Sequence, residues 1–269
     1  MPVIRIALWI ALLVGAMLLP FLPGGYDPLA TSLSTSATGA SFVGLLLVPV
    51  GMVWLASARG YAAARAALAV AALVTVGAAL PGAATGSMTA GTVVLVACAT
   101  YVVSLWRRVT AARTEGATLP LSVPVALIVI PIAAVATRMA VLESTAEKSR
   151  ARTIANAAEI IADVERFRER TGAYPVALNS LWPDYKPGSI GVERYRYEPS
   201  GEAYNLYFEH PSTDIAAREI VMYNPRGEQD FSSHVVDLLR LSPGEIRRQR
   251  GYFRSEELPQ RGWKRFLFD

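Results

Sequence analysis

Between Leu142 and Thr171 there is neither a glycine nor a proline, and this stretch follows without interruption on the apolar run Leu121–Leu142. Ala, Glu, Arg and Ile dominate it, all acceptable or strong helix formers. Apolar residues recur at Ile154, Ala157, Ala158, Ile161, Val164 and Phe167, the three-four spacing of one helix face. Glu159, Asp163, Arg166 and Arg170 fall on the opposite face. They read as a solvated face with helical ion pairing, not as catalytic carboxylates. The pattern therefore predicts one long, bent helix, its first half suited to lipid and its second to a protein surface. Gly172 stops it, and Ala173-Tyr174-Pro175 turns the chain into a short apolar segment ending at Trp182-Pro183.

Charge divides the chain at the same place. Residues 1–141 carry seven basic and two acidic side chains, residues 142–269 nineteen and twenty. The excess of +4 thus belongs to the apolar half, and the polar half is close to neutral. A nucleic-acid partner, which requires a basic face on the soluble part, is not expected. The single cysteine, Cys98, lies in an apolar run, so no disulfide within one chain forms and the residue reads as membrane packing.

Five apolar runs predict five membrane spans: Val3–Leu22, Ser41–Ala56, Ala66–Leu80, Thr92–Trp106 and Leu121–Leu142. The first and last reach the ~20 residues that cross a hydrocarbon core, and the second and third need flanking Ala and Gly to do so. Arg5, then Arg59 and Arg65, then Arg107, Arg108 and Arg113 occupy alternate loops, while the loops 24–40 and 81–91 hold no Lys or Arg. Positive charge marks the cytoplasmic side. The N-terminus is therefore expected in the cytoplasm and the C-terminal domain in the periplasm of a bacterial inner membrane. Arg138 alone is charged within a span, one turn from its outer end, where it is expected to snorkel. Pro49, Pro124 and Pro131 are tolerable kinks, and Gly44, Gly51, Gly77 and Gly91 allow close helix packing. A transport path is poorly supported.

Beyond the turn, alternating runs predict antiparallel strands at Val192–Glu198, Ala203–Glu209 and Glu219–Tyr223, with a hairpin turn at Pro199–Glu202. Tyr195, Tyr197, Tyr204, Leu206 and Phe208 read as core or cross-strand packing. Val235–Leu241 suits a strand or a helical turn, Glu245–Phe253 a short basic helix, and Trp263–Phe268 a final strand. Arg247, Arg248, Arg250 and Arg254 suit anionic headgroups or an acidic partner, against the plainer reading of a solvated basic surface.

The order helix, Phe167-Arg168, Thr171-Gly172-Ala173-Tyr174-Pro175, Leu178, Leu181, Pro183, Gly191 and a tyrosine-rich hairpin resembles the periplasmic part of type IV pilins. It is most similar to the major pseudopilin of type II secretion systems. The resemblance covers about Leu121–Glu209, with the firm match at Ala157–Pro183. It implies a long helix packed on a small antiparallel sheet, and the signature residues are Phe167, Gly172, Tyr174, Pro175, Leu178, Leu181 and Pro183. The chain departs from the family in two ways. Leu121 stands where a pilin has the glutamate that aids fibre assembly, after Gly116 and Pro120, and four expected spans precede it. Peptidase cleavage and polymerisation as a major subunit are therefore not expected, and the family's acidic calcium loop is not recognisable.

No nucleophile-elbow, zincin, Walker or dinucleotide pattern occurs. Asp230, His234 and Asp237 are too few and irregular for a metal site, and His210 with Asp214 reads equally as a turn. No catalytic, cofactor or metal residue is therefore expected. The fold class expected is a five-span membrane helix bundle followed by an α+β pilin-like domain. Its parts are residues 1–120 (four spans), 121–171 (fifth span continuing into the amphipathic helix) and 172–269 (sheet and C-terminal region), with 143–269 soluble. The function expected is that of a non-catalytic assembly, scaffold or interaction subunit near a secretion or pilus system. Its partners would be the bilayer and other membrane or periplasmic proteins, met through Arg166, Arg170, Arg247, Arg248 and Arg250. The alternatives are a periplasmic sensor using the tyrosine-rich hairpin and, more weakly, a membrane enzyme using His210 or His234.

Overall fold

The computed structural model describes residues 2–56, 121–181, 184–200, 202–214, 217–229 and 252–268, with scattered positions between 61 and 114. The expected spans at 66–80 and 92–106 fall largely outside these residues, as do Val235–Leu241 and most of the expected helix at 245–253.

The chain divides into two compact units. The first comprises Met1–Pro20 and Asp27–Glu143. Helix α1 spans Pro2–Leu18, α2 Pro28–Gly44, α3 Leu47–Ala56 and α4 Ser122–Thr171. Among the described residues two helices, over Val3–Phe21 and Ser122–Thr171, are long and apolar enough to cross a membrane. A third counts only if α2 and α3, bent by 43° at their junction, form one span. Among the described residues, therefore, two or three candidate spans stand where five were expected along the chain, two of the five lying largely outside those residues.

The loop expected at 24–40 is mostly helix. Asp27 caps α2 by accepting from the Leu29 N–H at 2.8 Å, and Pro28 starts the helix with its φ already helical. Its hydroxyls bond back one turn, Ser32 to the Pro28 carbonyl at 3.0 Å and Ser41 to the Ala37 carbonyl at 2.9 Å. A Ser/Thr-rich segment therefore stays helical while scoring as polar.

Close packing in this unit depends on small residues. A Cβ on Gly51 would stand 2.8 Å from Ile128 Cγ1 and 3.0 Å from the Pro124 carbonyl oxygen, and one on Gly44 would stand 3.3 Å from Pro131 Cβ. Arg138 is buried with its guanidinium 5.6 Å from the Phe42 ring centre, so it packs inside this unit and does not snorkel as expected.

The second unit comprises Phe21–Tyr26 and Ser144–Asp269. The last part of α4 enters it, and the helix ends where Gly172, at φ +78°, donates its N–H to the Arg168 carbonyl at 2.8 Å. Five strands follow: β1 Arg196–Ser200, β2 Ala203–His210, β3 Arg218–Tyr223, β4 Tyr252–Glu257 and β5 Trp263–Phe268. They form one antiparallel sheet in the order β1-β2-β3-β5-β4. β4 corrects the expected basic helix at its C-terminal end, since Tyr252 pairs with Phe268. Pro199 lies within β1, where an edge strand tolerates its missing N–H.

Register puts Tyr204, Leu206, Phe208 and His210 of β2 on the same face as Glu219, Val221 and Tyr223 of β3 and Trp263, Arg265 and Leu267 of β5. Ile154, Ala157, Ile160 and Val164 of α4 close the core against this face, together with Val192 and Tyr195. The buried stripe differs from the expected one by a single step. Ile160 is fully buried and Ile161 half-buried, whereas Ala158 is exposed. Two adjacent isoleucines leave the helix phase undetermined by about one residue, or ~100°, and the sheet selects between them.

Replacing Ile160 by Ala is expected to destabilise this unit by roughly 2–5 kcal/mol, while Ala158→Ser stays within about 0.5 kcal/mol. Denaturant unfolding followed by Trp fluorescence separates the two.

Candidate functional site

The most unusual chemistry of the described residues lies under the helix-facing side of the sheet. Glu219 is the second residue of β3 and is fully buried. Arg150 Nε donates to its Oε1 at 2.9 Å and Arg265 Nε to its Oε2 at 2.9 Å, from α4 and β5 respectively. His210 Nδ1, across the strand pair, lies 3.2 Å from Oε1. At that distance the two are in polar contact, and His210 Nδ1 makes no directed hydrogen bond. Burial pushes the Glu219 carboxyl up, and the His210 imidazole and Arg150 guanidinium beside it more than offset this, holding it at about 2. Arg265 also reaches Glu256 at 3.5 Å, and Glu256 pairs in turn with Arg254.

From His210 a polar seam runs along α4. Its Nε2 lies 3.2 Å from Ser149 Oγ, and Ser149 Oγ donates to Ser189 Oγ at 3.1 Å. Thr153 Oγ1 lies 3.1 Å from the same Ser189 hydroxyl, which also accepts from Arg152 at 3.3 Å. Tyr195 adds an O–H to the Thr153 carbonyl at 2.6 Å. Ser149, Thr153, Ser189 and His210 are all essentially inaccessible. Each polar group therefore exchanges water for a protein partner, the condition on which burial of such groups is tolerable.

The order Ser149–His210–Glu219 has the connectivity of a nucleophile, base and orienting carboxylate. Its surroundings close that chemistry at Ser149. The serine sits inside a helix whose amides are spent on main-chain hydrogen bonds, so no pair of N–H donors faces a developing oxyanion. Glu219 is neutralised by two guanidinium groups rather than left to polarise the imidazole.

A strap covers the seam. Phe21 is its only buried residue, with the ring centre 5.7 Å from that of His210. The Leu22 carbonyl accepts from Ile190 N at 3.0 Å, Gly24 N donates to the Gly188 carbonyl at 3.2 Å, and Arg152 reaches the Phe21 carbonyl at 3.4 Å. Pro23 and Ser189 form an isolated antiparallel bridge.

The residues expected to matter are distributed differently. Phe167 is half-buried on α4 and Gly172 caps that helix. Pro175 is buried, and Tyr174 packs edge-on against Tyr204 at 5.0 Å with the Arg168 guanidinium 4.6 Å from its ring centre. Leu178 and Leu181 lie on a 3-10 turn against the same core. Arg166 is exposed and pairs with Asp163 at 2.6 Å, while Arg170 is exposed and bonds the Arg166 carbonyl. Pro183, Arg247, Arg248, Arg250, Asp230, His234 and Asp237 lie outside the described residues. His210 does not pair with Asp214, as one reading had it. It turns to Glu219, and the Asp214 N–H closes a turn on Ser212 Oγ at 3.1 Å.

The hairpin tyrosines are spent on the core. Tyr204 stacks with Tyr174, Tyr197 and Tyr223, and burial pushes its phenol upward. The hydroxyls of Tyr197 and Tyr204 are buried without a hydrogen-bond partner among the described residues. No group of three or more His, Cys, Asp or Glu that would hold a metal occurs among the described residues.

Hydropathy missed Glu219, Arg150, Arg265 and Phe21. A signal existed for two of them. Arg150 continues the buried stripe four residues before Ile154, and Glu219 precedes the apolar run Ile220–Met222 of β3 at the position facing His210. Comparison with protein-family models, with curated proteins and with solved structures finds no match.

Replacing Glu219 by Gln removes the carboxylate that two buried guanidinium groups share and is expected to destabilise the unit by about 3–5 kcal/mol. The wild-type carboxylate, held near 2 against an unperturbed value of 4.5, contributes stability that is present above about pH 4.5 and lost as pH falls toward 2. Denaturant midpoints measured from pH 7 to pH 3 should fall for the wild type and show a shallower acid limb for E219Q.

Proposed function

We propose that this protein is a non-catalytic inner-membrane protein. In this reading it displays a pilin- or pseudopilin-like domain in the periplasm and serves as an assembly, scaffold or interaction subunit of secretion or pilus machinery. The observation that carries the reading is the strap. Phe21–Tyr26 follows the apolar helix over Val3–Phe21 directly, yet it belongs to the same compact unit as the sheet. With Arg5 at the cytoplasmic end of that helix, the strap emerges on the opposite side, and the sheet goes with it.

Three further features support the same reading. A helix whose apolar first part meets the requirement for a span continues into the amphipathic part that buries Ile154, Ala157, Ile160 and Val164 against an antiparallel sheet. The turn at Gly172-Ala173-Tyr174-Pro175 follows at its end. The hydroxyls of the polar seam are buried and bond one another, which suits a structural lock better than a reaction centre. The charged face of α4 at Arg166 and Arg170 is exposed.

Lys186 is exposed. A Lys186→Cys variant should react with a membrane-impermeant maleimide applied to spheroplasts. Labelling only after the membrane is permeabilised would overturn the topology and the function together. A photo-crosslinker at Arg170 should then trap a periplasmic or inner-membrane protein.

A further inference from the structure

We propose that the strap end of the second unit sits in the headgroup layer of the bilayer, with Leu22 and Tyr26 as its lipid contacts. The placement rests on the membrane reading above and adds which end of the unit meets the lipid.

Two separate lengths of chain give the same height. The strap, residues Phe21–Tyr26, joins two apolar elements, the helix over Val3–Phe21 and the helix pair that starts at Pro28. Gly24, in its middle, is at most about 11 Å of chain from Phe21. Its N–H nevertheless reaches the Gly188 carbonyl, and the Leu22 carbonyl accepts from Ile190 N. Ile190 also packs closely on Gly24, where a Cβ would stand 2.8 Å from Ile190 Cγ1. By the second route, Ser149 bonds Ser189 at 3.1 Å. Ser149 follows Leu142, the last residue of the apolar run, by a helical rise of about 10 Å. Both routes hold the loop at 188–190 roughly 10 Å beyond the end of the hydrocarbon region. Headgroups fill roughly 5–8 Å of that height. Thr171, the last residue of α4, stands about 43 Å along the helix axis from Leu142.

The strap has the chemistry of that layer. Phe21-Leu22-Pro23-Gly24-Gly25-Tyr26 carries no charge. Leu22 is 40% exposed and Tyr26 46%, the tyrosine while also holding a contact within the protein. A tyrosine presents an apolar ring and a polar tip, which is why it concentrates at membrane–water interfaces. The Leu22 carbonyl and the Gly24 N–H are bonded to the 188–190 loop, so a water-poor layer leaves neither unpaired. The buried Phe21 ring on His210 fixes the sheet to the same surface. This orientation presents Arg166 and Arg170 away from the lipid.

Nitroxide quenching of the full-length protein in phosphatidylcholine vesicles tests the placement. In a Cys98→Ser background, Leu12→Cys, Leu22→Cys, Gly25→Cys and Val176→Cys each carry an NBD fluorophore. A Cβ on Gly25 meets nothing within 4 Å, so that substitution adds no clash. A headgroup nitroxide should quench the probes at 22 and 25 strongly and the probe at Val176, which is 84% exposed, hardly at all. A nitroxide deep in the acyl chains should quench the probe at 12. If the probes at 22 and 25 are quenched no more than the one at 176 while 12 is quenched at depth, the placement falls and the membrane reading stands. Equally strong quenching at 176 would also overturn the placement, by laying the whole unit along the surface. An unquenched probe at 12 would remove the membrane reading and the placement with it. If Leu22→Cys does not accumulate, Gly25→Cys decides alone.

Discussion

The second unit depends on a carboxylate that has no access to water. Glu219 is contacted from α4 by Arg150, from β5 by Arg265 and from β2 by His210, so one side chain ties the helix to three adjacent strands. Removing three charged groups and an imidazole from water costs several kcal/mol per ion, and mutual attraction with good hydrogen-bond geometry offsets that cost. An apolar core tolerates a helix sliding by a turn or rotating by a residue, because dispersion contacts have no direction. Guanidinium–carboxylate pairs do have direction. The network thus selects which face of α4 meets the sheet and at what height, although apolar burial supplies most of the stabilisation.

The same helix combines two compositions. Its apolar stretch satisfies the composition of a membrane span, with its backbone bonds closed internally. Its later part carries an apolar stripe on one side and ion pairs on the other. Ser149, Arg150 and Thr153 continue that stripe toward the apolar half in polar form. They are buried because Ser189 and Glu219 supply partners.

Much of this was legible in the sequence. The absence of Gly and Pro from 142 to 171, the stop at Gly172 and the alternation in AYNLYFE and EIVMY describe local geometry, which depends on neighbours along the chain. Those features anticipated α4, β2, β3 and β5 closely. The α2 helix was missed because hydropathy counts Ser and Thr as polar, although their hydroxyls satisfy themselves one turn back. The pairing of His210 with Glu219 was missed because it spans a hairpin, and the strap because nothing in Phe21-Leu22-Pro23-Gly24-Gly25-Tyr26 names a partner far along the chain.

By itself, then, the sequence determined the kind and extent of α4, β2, β3 and β5. Periodicity, helix breakers and charge segregation act over a few residues and can be read directly. Only the tertiary structure decided which of two adjacent isoleucines enters the core, that Glu219 is the acid between Arg150 and Arg265, and that Phe21 belongs with residues 144 onward. Each of those choices compares the free energies of contacts between distant segments. A buried charge or a docked ring acquires its meaning only when its partners are in place.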